Sequence, residues 1–264
     1  MRDKLAILLP TAIILVAEAL FFDKMAEASL ELHLLNIFIC IMLSIFLSKG
    51  NDLYIAFALV SLLRVLNIGM PKFFHLSLYF YPFIYLPVIF ACFVLWYVEN
   101  VPEGVKIDRG HIWRFANGAT GEERPDFNWL YVPAALLIGL GLSFIEYMVL
   151  KPTALVTDLT FLSLTSLMVV MVVFVGFGEE MVFRGILQTR VQKRTGPIIA
   201  ILFSAFMFSV MHSGYSSIEY LVYVFGVGII LGYAFFRTRN LIFVAMIHGF
   251  LNFFLFSYLP FSLS

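Results

Sequence analysis

The sequence predicts an all-α, polytopic transmembrane helical bundle of eight or nine spans. Of its 264 residues, 62% are hydrophobic and only 13% are charged, which leaves too little polar surface to cover a soluble protein of this size. Nine runs approach the roughly 20 apolar residues that a spanning helix needs. They lie at about 5–22, 30–48, 53–68, 74–98, 130–150, 157–182, 198–216, 218–236 and 241–259. Because the third run is short and the break at 213–217 is tight, the expected number is eight or nine.

The positions of Lys and Arg predict a cytoplasmic N-terminus, since loops on the cytoplasmic side carry an excess of both residues. With this orientation only 4 of the 17 Lys and Arg residues fall on the outer side, namely Lys24, Arg64, Lys72 and Lys151. Residues 1–19 also fit a signal peptide, because Arg2 and Lys4 precede an apolar run. The alternation of charged loops, however, works with the first span retained.

A polar stretch rich in proline and glycine divides the chain into three expected parts. Residues 1–98 form an N-terminal membrane part of four helices, 99–129 form a cytoplasmic loop, and 130–264 form a C-terminal helical bundle.

Composition excludes several classes of function. The 17 Lys and Arg balance the 17 Asp and Glu, so the basic surface of a nucleic-acid-binding protein is absent. The two cysteines, Cys40 and Cys92, lie in apolar runs and predict neither a disulfide framework nor a cysteine zinc site. The aromatic residues in the first part of the fourth span, including Tyr81 and Tyr85, are interpreted as an interfacial entry to that span.

Ionisable side chains within apolar spans mark candidate functional sites, because burying them in lipid costs free energy. Glu179 and Glu180 continue an apolar run, and the i,i+4 spacing predicts that Glu180 pairs with Arg184. Glu179 is then left to face a cavity. Glu18 and Glu146 also lie within spans and are expected either to pair locally or to face the interior of the bundle. The remaining histidines fall in or near predicted loops and receive no role: His33, His75 and His111.

Two further spans carry polar residues that match this position. His212 ends one apolar run, and His248 and Asn252 share one helix face in the last span. The turn at 195–197 separates two helices, with Glu180 sixteen residues before Gly196 and His212 sixteen residues after it. At 1.5 Å per residue both lie about 24 Å from that turn. We therefore expect a shared, water-accessible site in the inner half of the membrane.

These residues resemble the motifs of the CPBP family, which includes the type II CAAX prenyl endopeptidases (Ras-converting enzyme). Glu179, Glu180 and Arg184 match EExxxR, Phe208 and His212 match FxxxH, and His248 and Asn252 match HxxxN. The resemblance covers roughly residues 130–259 and leaves the first four spans unassigned.

The resemblance implies an intramembrane, glutamate-dependent endopeptidase whose catalytic residues are Glu179, His212, His248 and Asn252. Glu179 would be the general base that activates water, and His212 would hold that water. His248 and Asn252 would donate to the oxyanion. The same resemblance gives supporting roles to Glu180 and Arg184.

Several alternatives stay open. No cofactor is expected, but zinc bound by His212, His248 and Glu179 is the second choice, although HExxH is absent. A non-catalytic scaffold or immunity protein and a small transporter are the other functions considered. The expected partners are membrane lipids and a membrane-anchored peptide or lipidated protein substrate, with no nucleic acid. The expected location is the prokaryotic cytoplasmic membrane, or the endoplasmic reticulum for a eukaryotic source.

Overall fold

The computed structural model describes residues 2–47, 51–73, 78–100 and 128–263. Helices account for almost all of these residues, and no strand occurs among them, which confirms the predicted all-α class. The helices are α1 (Arg2–Phe22), α2 (Ala26–Phe46), α3 (Asn51–Phe73), α4 (Tyr81–Asn100), α5 (Tyr131–Leu150), α6 (Phe161–Thr195), α7 (Pro197–Val210), α8 (Ile218–Thr238), α9 (Leu241–Phe256) and α10 (Tyr258–Leu263).

Eight segments are long and apolar enough to cross a membrane, and α1 adds a shorter apolar stretch at Ile7–Phe22. This agrees with the predicted eight or nine spans. Many helices expose large apolar side chains, which are unfavourable in water but favourable in contact with lipid. Examples are Phe38, Phe90, Leu137, Ile198 and Val222. The protein is therefore an integral membrane protein. The cytoplasmic N-terminus stays a prediction.

The chain folds into two compact units. Unit 1 comprises Met1–Leu76 and Val182–Ile229, and unit 2 comprises Ser77–Met181 and Ile230–Ser264. Each unit draws helices from both sides of the polar stretch. The three-part division at 1–98, 99–129 and 130–264 stays a prediction, and most of its loop lies outside the described residues.

The Thr160 hydroxyl accepts a hydrogen bond from Ser163 N and caps the start of helix α6. Beyond this cap, the helix departs from regular α-helical geometry at two places. The helix widens into π-helical turns at Val170–Gly176 and at Met181–Gln188, a feature that occurs frequently at functional sites. The two turns flank Glu179 and Glu180 in sequence.

The end of α6 follows the sequence expectation. Gly196 has a φ of +88°, a conformation that glycine adopts without steric cost. Pro197 then opens α7, where its missing N–H costs nothing. The predicted helix stop at 195–197 is confirmed.

Two expectations about N-terminal residues were wrong. His33 does not belong to a loop, because it lies within α2 and is fully buried. Arg64 was counted among outer-side charges, but it is buried within α3 and bound to Glu18 at 2.6 Å. Both side chains bind the buried carboxylate of Glu18 on α1. A local sequence window does not contain contacts between different helices, so the sequence did not predict either one. His75 and His111 lie outside the described residues.

Candidate active site

In unit 2, α6 and α9 bring together a buried carboxylate and a histidine. His248 Nδ1 lies 2.9 Å from Glu180 Oε1, and the two residues are 4% and 0% exposed. A carboxylate only accepts, so the hydrogen on His248 is carried by Nδ1. The sequence did not predict this contact, because Glu180 was expected to pair with Arg184.

Glu179 is held by a tyrosine from another helix of the same unit. The Tyr85 hydroxyl donates to Glu179 Oε1 at 2.6 Å, and Tyr81 stacks on Tyr85 with a ring distance of 6.5 Å. Tyr85 is buried, so its interpretation as an interfacial residue was wrong. No motif in the sequence links α4 with α6, and the i,i+4 spacing of the two tyrosines was the only available signal.

Glycines set the close packing that brings α9 against α6. A methyl group added at Gly176 would lie 2.7 Å from Ala245 O, and one added at Gly249 would lie 2.5 Å from Val172 Cα. Both distances are shorter than van der Waals contact, so only glycine fits at these positions. Because Gly249 follows His248 directly, this packing fixes the position of the histidine.

Asn252 lies one helical turn beyond His248 on α9 and is half-buried. The i,i+4 spacing places both side chains on one face of the helix. No hydrogen bond joins the Asn252 amide to another of the residues that the structure describes. The role of Asn252 as an oxyanion donor stays a prediction.

In unit 1, His212 lies in the turn that follows α7. Its Nδ1 donates to Phe208 O at 2.8 Å, because a carbonyl only accepts. The lone pair of the neutral ring is then on Nε2. The Phe208 and Tyr220 rings lie 4.8 and 6.2 Å from the imidazole. His212 is half-buried, so it combines a fixed tautomer with partial access.

Arg184 is buried in unit 1 against residues of two other helices. Its Nη2 donates to Gly228 O at 3.1 Å, and its guanidinium lies 4.4 Å from the centre of the Phe208 ring, within cation–π range. Arg184 therefore joins the first two motifs through the phenylalanine of the second. The pairing of Arg184 with Glu180 stays a prediction.

Gly228 in α8 also permits close packing. A methyl group at Gly228 would lie 2.9 Å from Ala205 Cα. Since Ala205 belongs to α7, this contact brings α8 close to the helix that leads to His212.

Comparison with known families points to the same segment. Residues 161–254 match the family model described as type II CAAX prenyl endopeptidase Rce1-like. This segment is an Rce1-like domain. The match confirms the family that the motifs suggested. No curated protein and no solved structure matches the chain significantly.

The Rce1-like domain contains every residue of the candidate site: Glu179, Glu180, Arg184, His212, His248 and Asn252. Tyr85, which binds Glu179, lies outside it. The structure shows the Glu180–His248 and Tyr85–Glu179 contacts in unit 2 and the Arg184–Phe208–His212 arrangement in unit 1. That all four catalytic candidates share one cavity stays a prediction.

Metal binding was considered for the same residues. Among the described residues, no group of three or more His, Cys, Asp and Glu side chains has the arrangement of a metal site. Dependence on zinc is a question for solution chemistry, and its test is given below.

Proposed function

We propose that the protein is an intramembrane endopeptidase that uses Glu179 to activate water and cleaves membrane-anchored peptides near their C-terminus. The observation that carries the proposal is the orientation of Glu179 within a membrane span. Its carboxylate is half-buried, is fixed through Oε1 by Tyr85, and adjoins the buried Glu180–His248 pair in a segment matching a family of endopeptidases.

Glu179 is suited to act as a general base. With Oε1 bound to the Tyr85 hydroxyl, Oε2 can take a proton from water while the water oxygen attacks the scissile carbonyl carbon. The protonated Glu179 then gives that proton to the leaving amine as the carbon–nitrogen bond breaks. The cycle ends with the carboxylate regenerated and no covalent enzyme intermediate.

Glu180 gives His248 the character of an oxyanion donor. The His248 Nδ1–H is directed to the Glu180 carboxylate, so Nε2 can donate to substrate only when the ring is an imidazolium. A buried carboxylate at 2.9 Å stabilises that cation electrostatically. His248 Nε2 and the Asn252 amide, on one helix face, would then stabilise the negative oxygen of the tetrahedral intermediate.

His212 would hold the attacking water. Its Nδ1–H is fixed by the backbone carbonyl of Phe208, so Nε2 can accept a hydrogen bond from water. This role requires Glu179 and His212 to share one cavity in the inner half of the membrane. A separation of more than about 8 Å between the carboxylate and the imidazole in an experimental structure would contradict the role, because one water could not bridge them.

The proposed substrates are membrane-anchored peptides or lipidated proteins, and the proposed location is a prokaryotic cytoplasmic membrane. A half-buried base within a span meets its substrate at the membrane and not in bulk water. The proposed site uses no metal, since the sequence lacks HExxH and Asn252 is a poor zinc ligand but a good hydrogen-bond donor. The contact of His248 Nδ1 with Glu180 is compatible with either mechanism, because zinc-binding histidines make the same contact while they bind through Nε2.

The experiment that tests this function is cleavage of a labelled, membrane-anchored peptide by purified protein in detergent. We expect internal cleavage near the C-terminus, detected by mass spectrometry, with the same rate in a strong chelator. Activity that the chelator removes and zinc restores would support the metal-dependent alternative. No cleavage of lipidated or unlipidated peptides would support a non-catalytic scaffold.

A further inference from the structure

A second buried polar cluster lies in unit 1, apart from the residues used above. Arg64 on α3 forms a forked ion pair with Glu18 on α1, with Nε–Oε1 and Nη2–Oε2 distances of 2.6 and 2.7 Å. His33 Nε2 donates to the same carboxylate at 3.1 Å, and Ser61 and Asn36 continue the hydrogen bonding behind it. Glu18 and Arg64 are 1% and 7% exposed.

This cluster ends on the backbone that carries His212. Arg64 Nη2 also donates to Met211 O, and the Ser213 hydroxyl donates to Glu18 Oε2 at 2.5 Å. The two residues directly before and after His212 are therefore both bound to the same ion pair. We refer to Glu18, Arg64 and Ser213 as the Glu18 network.

The end of helix α1 and the residues directly after it make further contacts with the turn around His212. Lys24 Nζ donates to Gly214 O at 3.2 Å, and the Ser216 hydroxyl donates to Phe22 O at 2.7 Å. The Phe21 ring packs so closely on Gly214 that an added methyl group would lie 2.6 Å from a ring carbon. The turn from Met211 to Ser216 is thus fixed by side chains and backbone of the N-terminal helices.

The turn needs such support because its own helix has ended. Regular α7 stops at Val210, and the last carbonyls of a helix have no partner within it. The Arg64 guanidinium supplies one to Met211 O. His212 Nδ1 binds a local carbonyl, Phe208 O, so the imidazole is tied to the end of α7 and its direction depends on the backbone of the turn that follows.

We propose that the Glu18 network positions His212 for catalysis, which gives the N-terminal helices α1 and α3 a role in the reaction. The inference rests on the proposed function of His212. Glu18 and Arg64 are positioning residues, since they act through the backbone of Met211 and Ser213. A buried ion pair contributes little net stability compared with apolar packing. We therefore assign the Glu18–Arg64 pair a role in orienting the backbone on either side of His212.

The main test compares Arg64→Met with Arg194→Met. Both substitutions remove a guanidinium paired to an acid. Arg194 binds Asp52 at 2.5 and 3.2 Å, and Asp52 is twelve residues from Arg64 on α3, or about 18 Å along the helix. Arg194→Met therefore serves as a matched control for loss of an ion pair in the same unit.

Three quantities are measured for each variant in detergent: thermal unfolding, kcat and KM for peptide cleavage, and hydrogen exchange of residues 211–216. We expect Arg64→Met to lower kcat by about 100-fold with KM nearly unchanged, since a small displacement of a catalytic group has an effect of this order. Exchange in 211–216 should be faster than in Arg194→Met. Arg194→Met should keep kcat near the wild-type value even where its Tm falls equally.

Ser213→Ala and Arg64→Lys give graded variants. Ser213→Ala removes one hydroxyl and should lower kcat less than Arg64→Met. Arg64→Lys keeps the charge but loses the forked geometry, and we expect partial recovery of kcat. If Arg64→Met does not fold, the comparison of Ser213→Ala with wild type decides the question by the same measurements.

The outcomes separate this inference from the proposed function. Unchanged kcat and unchanged exchange in Arg64→Met and Ser213→Ala, with active wild type, would overturn the positioning role and leave the protease intact. An inactive wild-type protein would overturn the proposed function. In that case hydrogen exchange of residues 211–216 still tests whether the Glu18 network fixes the turn. Equal exchange rates in Arg64→Met and Arg194→Met would show that it does not.

Discussion

The direction of His248 depends on one carboxylate, Glu180, through the hydrogen bond at Nδ1. Glu180→Gln keeps an oxygen that can accept this bond but removes the negative charge. Glu180→Ala removes both. We expect kcat to fall modestly in the first variant and by about 100-fold or more in the second, because an unsupported imidazolium is costly in a buried site. Peptide cleavage with folded, purified variants measures this, and equal kcat in both would contradict the orienting role.

Asn252 gives a second prediction at this scale. Asn252→Ala should lower turnover by roughly 10²–10³, the usual effect of losing one oxyanion donor, with KM for the labelled peptide largely retained. Steady-state kinetics distinguishes the two parameters. A rise in KM at constant kcat would instead assign Asn252 to substrate binding.

Sequence motifs predicted the catalytic candidates but not their partners. EExxxR, FxxxH and HxxxN are local patterns of five or six residues, so they identify Glu179, His212 and His248 directly. Tyr85 bound to Glu179 and Ser213 bound to Glu18 are contacts across 94 and 195 residues. Neither the periodicity nor the composition of a single sequence indicates which residues so far apart in the chain come into contact.

At the scale of the element, α6 and α9 are joined by close backbone packing. Gly249→Ala would place a methyl group 2.5 Å from Val172 Cα, whereas nothing lies within 4 Å of the same position on Gly141. We expect Gly249→Ala to destabilise the protein by about 1–3 kcal/mol and Gly141→Ala to be neutral or slightly stabilising. Thermal unfolding in detergent tests this. Equal Tm values would show that the helices separate without cost.

The loop before α6 gives a prediction about pH. The Thr160 hydroxyl donates to Asp158 at 2.6 Å and lowers the pKa of that carboxyl to about 2. A lowered pKa means that the stabilisation is present above the ordinary pKa of aspartate and is lost as the pH falls through about 2. Unfolding measured from pH 5 to pH 2 should show a loss of stability in wild type that is smaller in Asp158→Asn. The effect is small because Asp158 is exposed.

The helices themselves were predicted more accurately than their internal geometry. Apolar length alone identified the spans, and the glycine and proline at 196–197 identified the end of α6. The π-helical turns at 170–176 and 181–188 were not expected. The two turns lie on either side of Glu179 and Glu180, and no local spacing in the sequence indicates a π-helical turn.

At the scale of the whole molecule, the Rce1-like domain is continuous in sequence but is divided between the two compact units. Unit 2 contains Glu179, Glu180, His248 and Asn252, whereas unit 1 contains Arg184 and His212. The N-terminal helices belong to unit 1 and bind the turn that carries His212. This arrangement gives a physical reason why helices outside the matched segment belong to the functional protein.

The proposed reaction depends on Glu179 as the base that activates the water molecule. Glu179→Gln keeps the shape of the side chain and can still accept from Tyr85, but its amide cannot take a proton from water. Glu219→Gln, at an exposed glutamate on α8 whose carboxylate accepts a hydrogen bond from Ser217, is the matched control.

The decisive measurement is hydrolysis of the labelled membrane-anchored peptide by wild type, Glu179→Gln and Glu219→Gln, each shown to be folded by its Tm in the same detergent. We expect no detectable cleavage by Glu179→Gln and normal cleavage by Glu219→Gln. Full activity of folded Glu179→Gln would contradict the glutamate mechanism.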